Sequence, residues 1–293
     1  MNDGLPKFTN FVENNKRTDM KRIVALFLAC LLLAADFIQA QEVVKESQWK
    51  GKKVAFLGDS ITDKRRIGTR KCYWEYLAEW LGLEALSYGI NGNQMNGLLR
   101  QAEKLKAEQG DSIDAIILFA GTNDYNGSIP LGEWYNEERV EVEAAAGKPV
   151  SKQWRRHRTP AMNDSTLCGR INRLMDYLKK NFPDKQVIVL TPLHRAYAKF
   201  GETNVQPDEQ YANRIGLFLE DYTRIIKQTA DVWAVPVIDL GALSGLYPVE
   251  ENHLMYFAES VTGRPDRLHP NAEGHRRMAL TLMYQLLALP AGF

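Results

Sequence analysis

The sequence predicts an α/β fold in which a parallel five-stranded sheet carries helices on both faces. Short apolar runs alternate with longer amphipathic stretches after residue 50. The runs are aliphatic and β-branched, as strands buried on both faces are. The stretches between them are long enough for crossover helices, which parallel strands require. With 293 residues, 45% of them hydrophobic and 25% charged, the chain suits one large globular domain.

The strands and helices can be placed in order along the chain. The predicted strands are KVAFL at 53–57, LEALSY at 83–88, AIILFA at 115–120, QVIVLT at 186–191 and VPVIDL at 235–240. The predicted helices cover about 72–82, 94–109, 165–181, 208–231 and 271–288. Pro183 is a stop signal for the third helix, and Asn271 after Pro270 is a start signal for the last. Ligands bind outside the carboxyl ends of such strands, so the loops there are the candidates for function.

Residues 1–40 are predicted to be a signal-peptide region. Lys21 and Arg22 precede the apolar run IVALFLACLLLAA, and the small residue Ala40 lies at a suitable cleavage position. The apolar run is short for a membrane span, so we expect no integral membrane domain after signal removal. An uncleaved anchor is the main alternative.

A secreted or periplasmic location follows from this signal. Met20 is an alternative start, and the residues before Cys30 fit a lipoprotein signal poorly. Residues 41–51 are expected to be a linker, and residues 52–293 the folded domain.

Charge and cysteine content exclude several classes of function. The 37 basic and 36 acidic residues give a net charge of +1, and the balance holds when residues 1–40 are set aside. No overall field would attract nucleic acid or an anionic membrane. No Cys or His spacing typical of a metal site occurs, so no metal is expected. The sequence does not decide whether Cys72 and Cys168 pair, and it does not indicate an oligomeric state.

The segment at about 125–164 interrupts the regular alternation of strands and helices. It is too long for an ordinary connection, and segments of this length are usually functional or disordered. Its aromatic residues Tyr125, Trp134, Tyr135 and Trp154 argue against plain disorder. We therefore expect an insertion within a single domain.

Four loops carry residues suited to acyl transfer. GDSIT, with Ser60, ends the first strand, SYGINGNQMNG follows the second, FAGTNDY ends the third, and PDRLHPNAEGH lies near the C-terminus. Each loop alone is a weak signal. GTND is compatible with a simple turn, GINGN lacks the spacing of a nucleotide loop, and His269 alone is compatible with a structural histidine.

Together these loops supply the groups that a serine nucleophile needs. His269 is the candidate base for Ser60, and Asp266 is the candidate partner that orients the imidazole. The amides of Ser60 and Gly92 and the side-chain amide of Asn123 are candidate donors to the oxyanion. We also expect the N-terminus of a helix following the first strand to stabilise negative charge at Ser60.

The four blocks resemble the SGNH, or GDSL-type, hydrolase family. They occur in the family's order between about residues 52 and 289, and Ile61 replaces the leucine of the familiar GDSL form. The residues that match the family's functional positions are Ser60, Gly92, Asn123, Asp266 and His269. The resemblance implies a three-layer α/β/α sandwich with a flavodoxin-like sheet. It also implies a serine esterase that works through an acyl-enzyme and needs no cofactor.

Other classes fit the sequence less well. An α/β-hydrolase would need G-x-S-x-G, and GDSIT has no second glycine. A flavodoxin-like binding module would not need Asp266 and His269 paired near the C-terminus. A catalytically inactive, carbohydrate-binding relative is a further alternative, which the intact set of residues disfavours.

The substrate is expected to be a small-molecule or glycan ester. Trp134, Tyr135 and Trp154, mixed with the basic run at 155–158, suit sugar rings with their apolar faces and polar edges. A carbohydrate deacetylase is therefore the first hypothesis, and a lipid-directed acylhydrolase or lysophospholipase is the second. Alternatively, these aromatic residues only anchor the insertion.

Four further residues at strand ends are candidate substrate contacts. They follow the first, third and fourth strands, where ligands bind in sheets of this type. They are Asp59, Asp124, His194 and Arg195. His194 and Arg195 could instead cap their loop.

Overall fold

The computed structural model describes residues 47–290, so the predicted signal region and most of the predicted linker lie outside the described residues. The strands within these residues are β1 (Lys53–Gly58), β2 (Glu84–Ser87), β3 (Ala115–Phe119), β4 (Tyr135–Ala144), β5 (Ser151–Pro160), β6 (Gln186–Leu190), β7 (Ala198–Gly201), β8 (Asn204–Gln206) and β9 (Val237–Ile238).

Helices separate most of these strands. They are α1 (Tyr73–Leu81), α2 (Gly97–Gln109), α3 (Thr122–Asn126), α4 (Leu167–Asn181), α5 (Leu219–Trp233), α6 (Leu240–Leu243), a 3₁₀ helix (Glu251–Tyr256), α7 (Glu259–Thr262) and α8 (Ala272–Ala288). Within residues 47–290, none of these helices has the length and apolar character that crossing a bilayer requires.

The central sheet has five parallel strands in the order β2-β1-β3-β6-β9. Numbered by their position along the chain, these strands are the second, first, third, fourth and fifth of that sheet, which is the flavodoxin-like order 2-1-3-4-5. The fold class predicted from the sequence is confirmed. The predicted fifth strand is the least accurate, because only Val237 and Ile238 pair with β6.

Helices cover both faces of the sheet and form three layers. Helices α1 and α8 pack together, α2 packs on α4, and α4 packs on α5. Successive residues of β3 alternate between the layers, as the pleat of a strand requires. Ile116 and Leu118 belong to the core that α2, α4 and α5 share. Phe119 points to the other side, where its ring lies 5.9 Å from that of Tyr73 in α1.

Four of the five predicted helices begin and end within three residues of their observed bounds. The exception is the fourth helix along the chain. It was expected over 208–231 and begins only at Leu219. The side chain of Asn213 accepts hydrogen bonds from the amides of Ile215 and Leu217, and Gly216 has φ +80°. An asparagine-centred turn therefore occupies the chain before the helix.

The insertion is an antiparallel ribbon of β4 and β5, paired from Tyr135 with Pro160 to Ala144 with Ser151. Each residue of β5 is exposed. The sequence analysis placed no strand in this segment, and the structure shows two. The alternation of Val140 and Val142 with glutamates is a period-two pattern that predicts a strand.

Cys72 and Cys168 are buried and are not bonded to each other. The Cys72 thiol faces the carbonyl of Asp63, and the Cys168 thiol faces the carbonyl of Gly132. Burial raises the pKa of both thiols to about 12. Both therefore behave as small core residues.

Candidate active site

Ser60 lies in a tight turn at the carboxyl end of β1. At Gly58, the last residue of the strand, a β-carbon would lie 2.4 Å from the Thr62 hydroxyl and 2.6 Å from the Phe119 carbonyl, so only glycine fits. The turn is closed by the Asp59 carboxylate, which accepts a hydrogen bond from the Ile61 amide at 3.0 Å. Turns continue beyond Ser60, and the next helix, α1, begins only at Tyr73. The expectation that the N-terminus of a following helix lies at Ser60 is therefore wrong.

Ser60, His269 and Asp266 form a continuous hydrogen-bonded chain. The distance from His269 Nε2 to Ser60 Oγ is 2.9 Å, and His269 Nδ1 lies 2.9 Å from Asp266 Oδ2. Because a carboxylate can only accept, Nδ1 carries the proton that faces Asp266. Nε2 is then free to accept the proton of the Ser60 hydroxyl. This is the geometry that general-base activation of a serine requires.

The backbone also holds Asp266 and His269 in place. Asp266 Oδ1 accepts the His269 amide at 3.0 Å, so the carboxylate bonds both the main chain and the ring of the same histidine. The carbonyl of His269 accepts the Ala258 amide at 2.8 Å. These contacts restrict the imidazole to the orientation that faces Ser60.

Two loops bring amide donors to the same place. Gly92 lies in the loop after β2 with φ +79°, a conformation that favours glycine. The Asn123 side chain donates from Nδ2 to the Asn93 carbonyl at 2.9 Å, which fixes its orientation and leaves the second N–H of that nitrogen unused. Within residues 47–290, the amides of Ser60 and Gly92 donate to no protein acceptor. Three donors are thus available for an oxyanion.

The topology explains why these residues meet. The chain runs from β1 to the edge strand β2 and returns to place β3 on the other side of β1, so the strand order reverses between β1 and β3. Crevices form at such reversals, at the carboxyl ends of the strands. Ser60 follows β1 and Asn123 follows β3.

The carboxylates of Asp59 and Asp124, predicted as candidate substrate contacts, are buried structural groups. Asp124 accepts from the Met95 amide and pairs with Arg170, both at 2.8 Å. It thereby ties the Asn123 segment to the loop that contains Gly92. Burial is the main cause that raises the pKa of both carboxyls, to about 6 for Asp59.

A cavity of about 440 Å³ opens beside Ser60. Its wall includes the catalytic candidates and a group of carboxamide side chains, with few apolar residues. The carboxamides are Asn91, Gln94, Asn123, Asn126, Asn204 and Gln206, and the apolar residues are Ile67, Phe200 and Leu268.

The structure does not bring His194 or Arg195 to the wall of this cavity. His194 Nδ1 lies 2.6 Å from a Glu209 oxygen, and its ring packs edge-on against Tyr247. The hydrogen bond to Glu209 is the main cause that raises the pKa of His194. Arg195 is fully buried.

The aromatic residues of the insertion also lie outside the cavity at Ser60. Trp134 packs against the core and donates to the side chain of Gln228 at 2.8 Å. Tyr135 lies under the guanidinium of Arg158. Trp154 projects from the ribbon with 63% of its surface exposed. This placement matches the alternative that Trp134 anchors the insertion.

The sequence interpretation missed Phe200, Asn204 and Gln206, which the β7–β8 hairpin brings to the cavity. The hairpin turn contains Glu202 and Thr203 and has no turn signature such as Asn-Gly. Its strands are too short for an alternation pattern. The sequence therefore carries little signal for this element.

Within the same described residues, no group of three or more His, Cys, Asp or Glu side chains is arranged to hold a metal ion.

The chain is similar to known proteins in sequence and in fold. The model of the GDSL-like lipase/acylhydrolase family matches residues 56–277. No curated protein sequence matches the chain. A solved structure from Lactobacillus plantarum is 23% identical, covers 81% of this chain and 97% of its own, and has a TM-score of 0.61. A structure described as a possible lipase from Chitinophaga pinensis is 18% identical, covers 81% and 99%, and has a TM-score of 0.57.

At these identities the two solved structures establish a shared fold only. The family model extends further, since its match contains all four sequence blocks, from Ser60 through Gly92 and Asn123 to Asp266 and His269. The resemblance noted in the sequence is thereby confirmed, and this chain belongs to the GDSL-like lipase/acylhydrolase family.

Proposed function

We propose that the protein is a serine esterase that hydrolyses carboxylic esters through an acyl-enzyme. The observation that carries the proposal is the 2.9 Å contact between Ser60 Oγ and His269 Nε2, at the wall of a cavity that Gly92 and Asn123 also line. Members of the family are hydrolases and esterases, which agrees with this chemistry.

The first half of the reaction forms the acyl-enzyme. Ser60 Oγ attacks the ester carbonyl while its proton passes to His269 Nε2, and Asp266 stabilises the imidazolium. The oxyanion is held by the Ser60 and Gly92 amides and the free N–H of Asn123. As the bond to the alcohol breaks, His269 protonates the leaving oxygen.

The second half reverses these steps with water. His269 takes a proton from water, and the resulting hydroxide oxygen attacks the acyl carbon. The bond to Ser60 Oγ then breaks, and the proton on His269 returns to the serine. Acid is released and the free enzyme is restored.

Hydrolysis of p-nitrophenyl acetate tests this mechanism. Ser60→Ala and His269→Ala should abolish turnover, and Asp266→Asn should lower kcat severely while leaving the fold intact, since it favours the wrong tautomer. Ser151→Ala and His157→Ala, both on the exposed ribbon, are matched controls that should keep full activity. A fluorophosphonate should label the wild type but not Ser60→Ala. Near-normal rates in any of the three site variants would contradict the assigned roles.

We also propose that the substrate is an acylated carbohydrate, from which the enzyme removes acetyl or other small acyl groups. Support comes from the cavity wall, where six carboxamides outnumber three apolar side chains. Carboxamides suit sugar hydroxyls, because each offers both donors and an acceptor. Gln94 and Gln206 already bond within the protein through both their nitrogen and their oxygen. A lipid acyl chain would leave the remaining polar atoms of this wall without partners, at a cost in desolvation.

Competing substrates separate this proposal from the lipid-directed alternative. Acetylated xylan or pectin fragments should be turned over alongside p-nitrophenyl acetate, and rates should fall as the acyl chain lengthens. Fastest turnover of octanoate or longer esters, with no activity on acetylated sugars, would favour a lipid acylhydrolase. Glycan binding without any turnover would favour an inactive carbohydrate-binding relative.

We propose a secreted or periplasmic location from the basic pair and apolar run before residue 40. N-terminal sequencing of the protein from fractionated cells tests this. A mature chain that begins after about residue 40 in the exported fraction is expected. An intact N-terminus in the cytosolic fraction would contradict it.

A further inference from the structure

The β7–β8 hairpin brings Phe200, Asn204 and Gln206, which lie outside the four sequence blocks, to the wall of the cavity at Ser60. We propose that this hairpin binds the sugar ring on the alcohol side of the ester, with Phe200 as the apolar platform and the Asn204 side-chain nitrogen as a hydrogen-bond donor. The inference rests on the proposed esterase function and assigns its specificity to residues of this chain.

The first strand of the hairpin is attached to the segment that carries Asp266. Ala198 pairs antiparallel with Asp266, and the Lys199 amide donates to the Pro265 carbonyl at 2.7 Å. Phe200 follows two residues after Ala198. Its position is therefore coupled to Asp266 by main-chain hydrogen bonds rather than by loose loop packing.

Phe200 lies beside the proposed general acid–base. Its ring centroid is 5.3 Å from that of His269, it lines the cavity, and 42% of its surface is exposed. His269 must reach the leaving oxygen in order to protonate it, so the alcohol part of the ester lies on the histidine side. The exposed ring of Phe200 is thus available to the alcohol. Sugar rings present apolar C–H faces that pack on such a surface.

The second strand of the hairpin is attached to the oxyanion side of the site. Gln206 is buried, and its Oε1 accepts from Arg195 Nη2 at 2.6 Å. Arg195 Nη1 in turn lies 3.3 Å from the hydroxyl of Thr122, the residue before Asn123. The hairpin therefore bridges the two halves of the catalytic machinery.

The buried arginine decides the direction of each hydrogen bond that follows. A guanidinium has no acceptor, so Gln206 must present its oxygen to Arg195 and its nitrogen elsewhere. Gln206 Nε2 donates to Asn204 Oδ1 at 2.9 Å. Asn204 must therefore direct its own nitrogen away from Gln206.

The hydrogen bonds that lead from Thr122 through Arg195 and Gln206 to Asn204 are called the relay below. Asn204 Nδ2 is its free end. Asn204 is exposed and lines the cavity, and within residues 47–290 its Nδ2 has no protein partner. A fixed donor of this kind selects a ligand that offers an oxygen acceptor, such as a sugar hydroxyl or ring oxygen. A hydrocarbon chain on the same side would offer none.

Ratios of kcat/KM between two acetate esters test the proposal. The first ester is an acetylated methyl glycoside, and the methyl glycosides of xylose, glucose, galactose and mannose are each tried in turn. The second is ethyl acetate, whose alcohol has neither ring nor hydroxyl. Phe200→Ala and Asn204→Asp should each lower the glycoside-to-ethyl ratio about tenfold, the size expected for one lost favourable contact. Asn204→Asp keeps the shape and removes the donor.

Two further variants examine the relay and the specificity of the effect. Gln206→Glu can still accept from Arg195 but can no longer donate to Asn204, so the ratio should fall mainly through a higher KM for the glycoside. Phe218→Ala is the matched control. Phe218 is 40% exposed, similar to Phe200, and lies outside the cavity. Its ratio should equal that of the wild type.

The outcomes separate this proposal from the proposed esterase function. If the wild type hydrolyses both esters and the variants leave the ratio unchanged, the hairpin assignment is overturned and the esterase remains. If it hydrolyses ethyl acetate and no acetylated glycoside, the sugar assignment is overturned. If the wild type hydrolyses neither ester, nor p-nitrophenyl acetate, both proposals fail together.

Discussion

The carboxyl group of Asp59 is buried next to the proposed nucleophile. Burial is the main cause that raises its pKa to about 6, and the nearby Asp124 acts in the same direction. The Ile61 amide and the charge of His269 act in the opposite direction. The motif GDS suggests an acid at the surface of a turn, whereas the packing of the turn makes it a core residue.

Asp59 should make the protein less stable as the pH rises. Below about pH 4 the carboxyl is protonated in both the folded and the unfolded protein. Between about pH 4 and 6 the unfolded chain has lost this proton, whereas the folded protein still holds it. The free energy of unfolding therefore falls as the pH rises through this window, and the whole loss is present above about pH 6. Asp59→Asn should be more stable than wild type at pH 7.5, by about 1–3 kcal/mol, and equal to it below pH 4.

Urea denaturation at several pH values checks this expectation. Asp231→Asn is the control, since Asp231 is exposed and its removal should leave the pH dependence unchanged. Asparagine at position 59 can still accept the Ile61 amide, so the hydrogen bond of the turn is kept. Parallel stability curves for wild type and Asp59→Asn would contradict the argument.

The catalytic candidates were predictable residue by residue, because each lies in a short motif at a predicted strand end or near the last helix. Ser60, Gly92, Asn123, Asp266 and His269 all meet at one cavity. His194 and Arg195 also follow a strand, yet they lie outside that cavity. Position at a strand end therefore places a residue near the site, and side-chain packing decides whether it faces the cavity.

At the scale of elements, helices α1 and α8 are joined through one buried histidine. His275 of α8 accepts from the amide of Tyr73, the first residue of α1, at 3.1 Å. The two rings are stacked with an interplanar angle of 2°. Burial is the main cause that lowers the pKa of His275 to about 3, and the charge of His269 acts in the same direction. The imidazole is therefore neutral in the folded protein at neutral pH.

Replacement of His275 by glutamine should weaken this junction in a pH-dependent way. Below about pH 6.5 the unfolded wild-type chain takes up a proton that the folded protein refuses, so wild-type stability falls toward pH 3. His275→Gln should be less stable at pH 7 by about 1–3 kcal/mol, because the acceptor and the ring packing change. The difference should narrow by pH 4, since glutamine does not titrate.

Thermal or urea unfolding between pH 4 and 7 measures this difference. His253→Gln serves as the control, because His253 is only half-buried. A His275→Gln deficit that stays constant over this range would show that protonation of the unfolded chain is not the cause.

Elements differed in how well the sequence predicted them. Helix α8 was predicted within one residue, because Asn271 is a strong cap that accepts from the Glu273 and Gly274 amides. The start of helix α5 was predicted eleven residues before its observed start at Leu219. The polar stretch before it is compatible with a helix, but the Asn213 turn competes successfully for the same backbone amides.

For the whole molecule, the ribbon is an addition to the sheet-and-helix core rather than a part of the cavity at Ser60. Both of its strands are mostly exposed, and they are joined by ion pairs such as Arg158 with Glu137 and Lys152 with Glu141. Exposed pairs of this kind contribute little to stability. Only its base, near Trp134, packs against the core.

Removal of the ribbon should leave the domain folded and active. Replacing residues 136–159 with an Asn-Gly turn keeps Trp134 and also keeps Tyr135 and Pro160. The last two pair directly with each other across the ribbon, so a short turn can join them. The shortened protein should unfold cooperatively and hydrolyse p-nitrophenyl acetate with an unchanged kcat/KM. An unfolded or inactive product would show that the ribbon supports the site.

The sequence by itself determined the sheet class, the positions of most helices, the family and the five candidate residues that meet at the cavity. These are local signals, because strand and helix periods and short motifs need only neighbouring residues. Tertiary structure alone decided which amides face the cavity, that Asp59 and Arg195 are buried, and that Phe200 and Asn204 reach the site. The reason is that burial and hydrogen-bond direction depend on partners far away in the chain, as the relay from Thr122 through Arg195 to Asn204 illustrates.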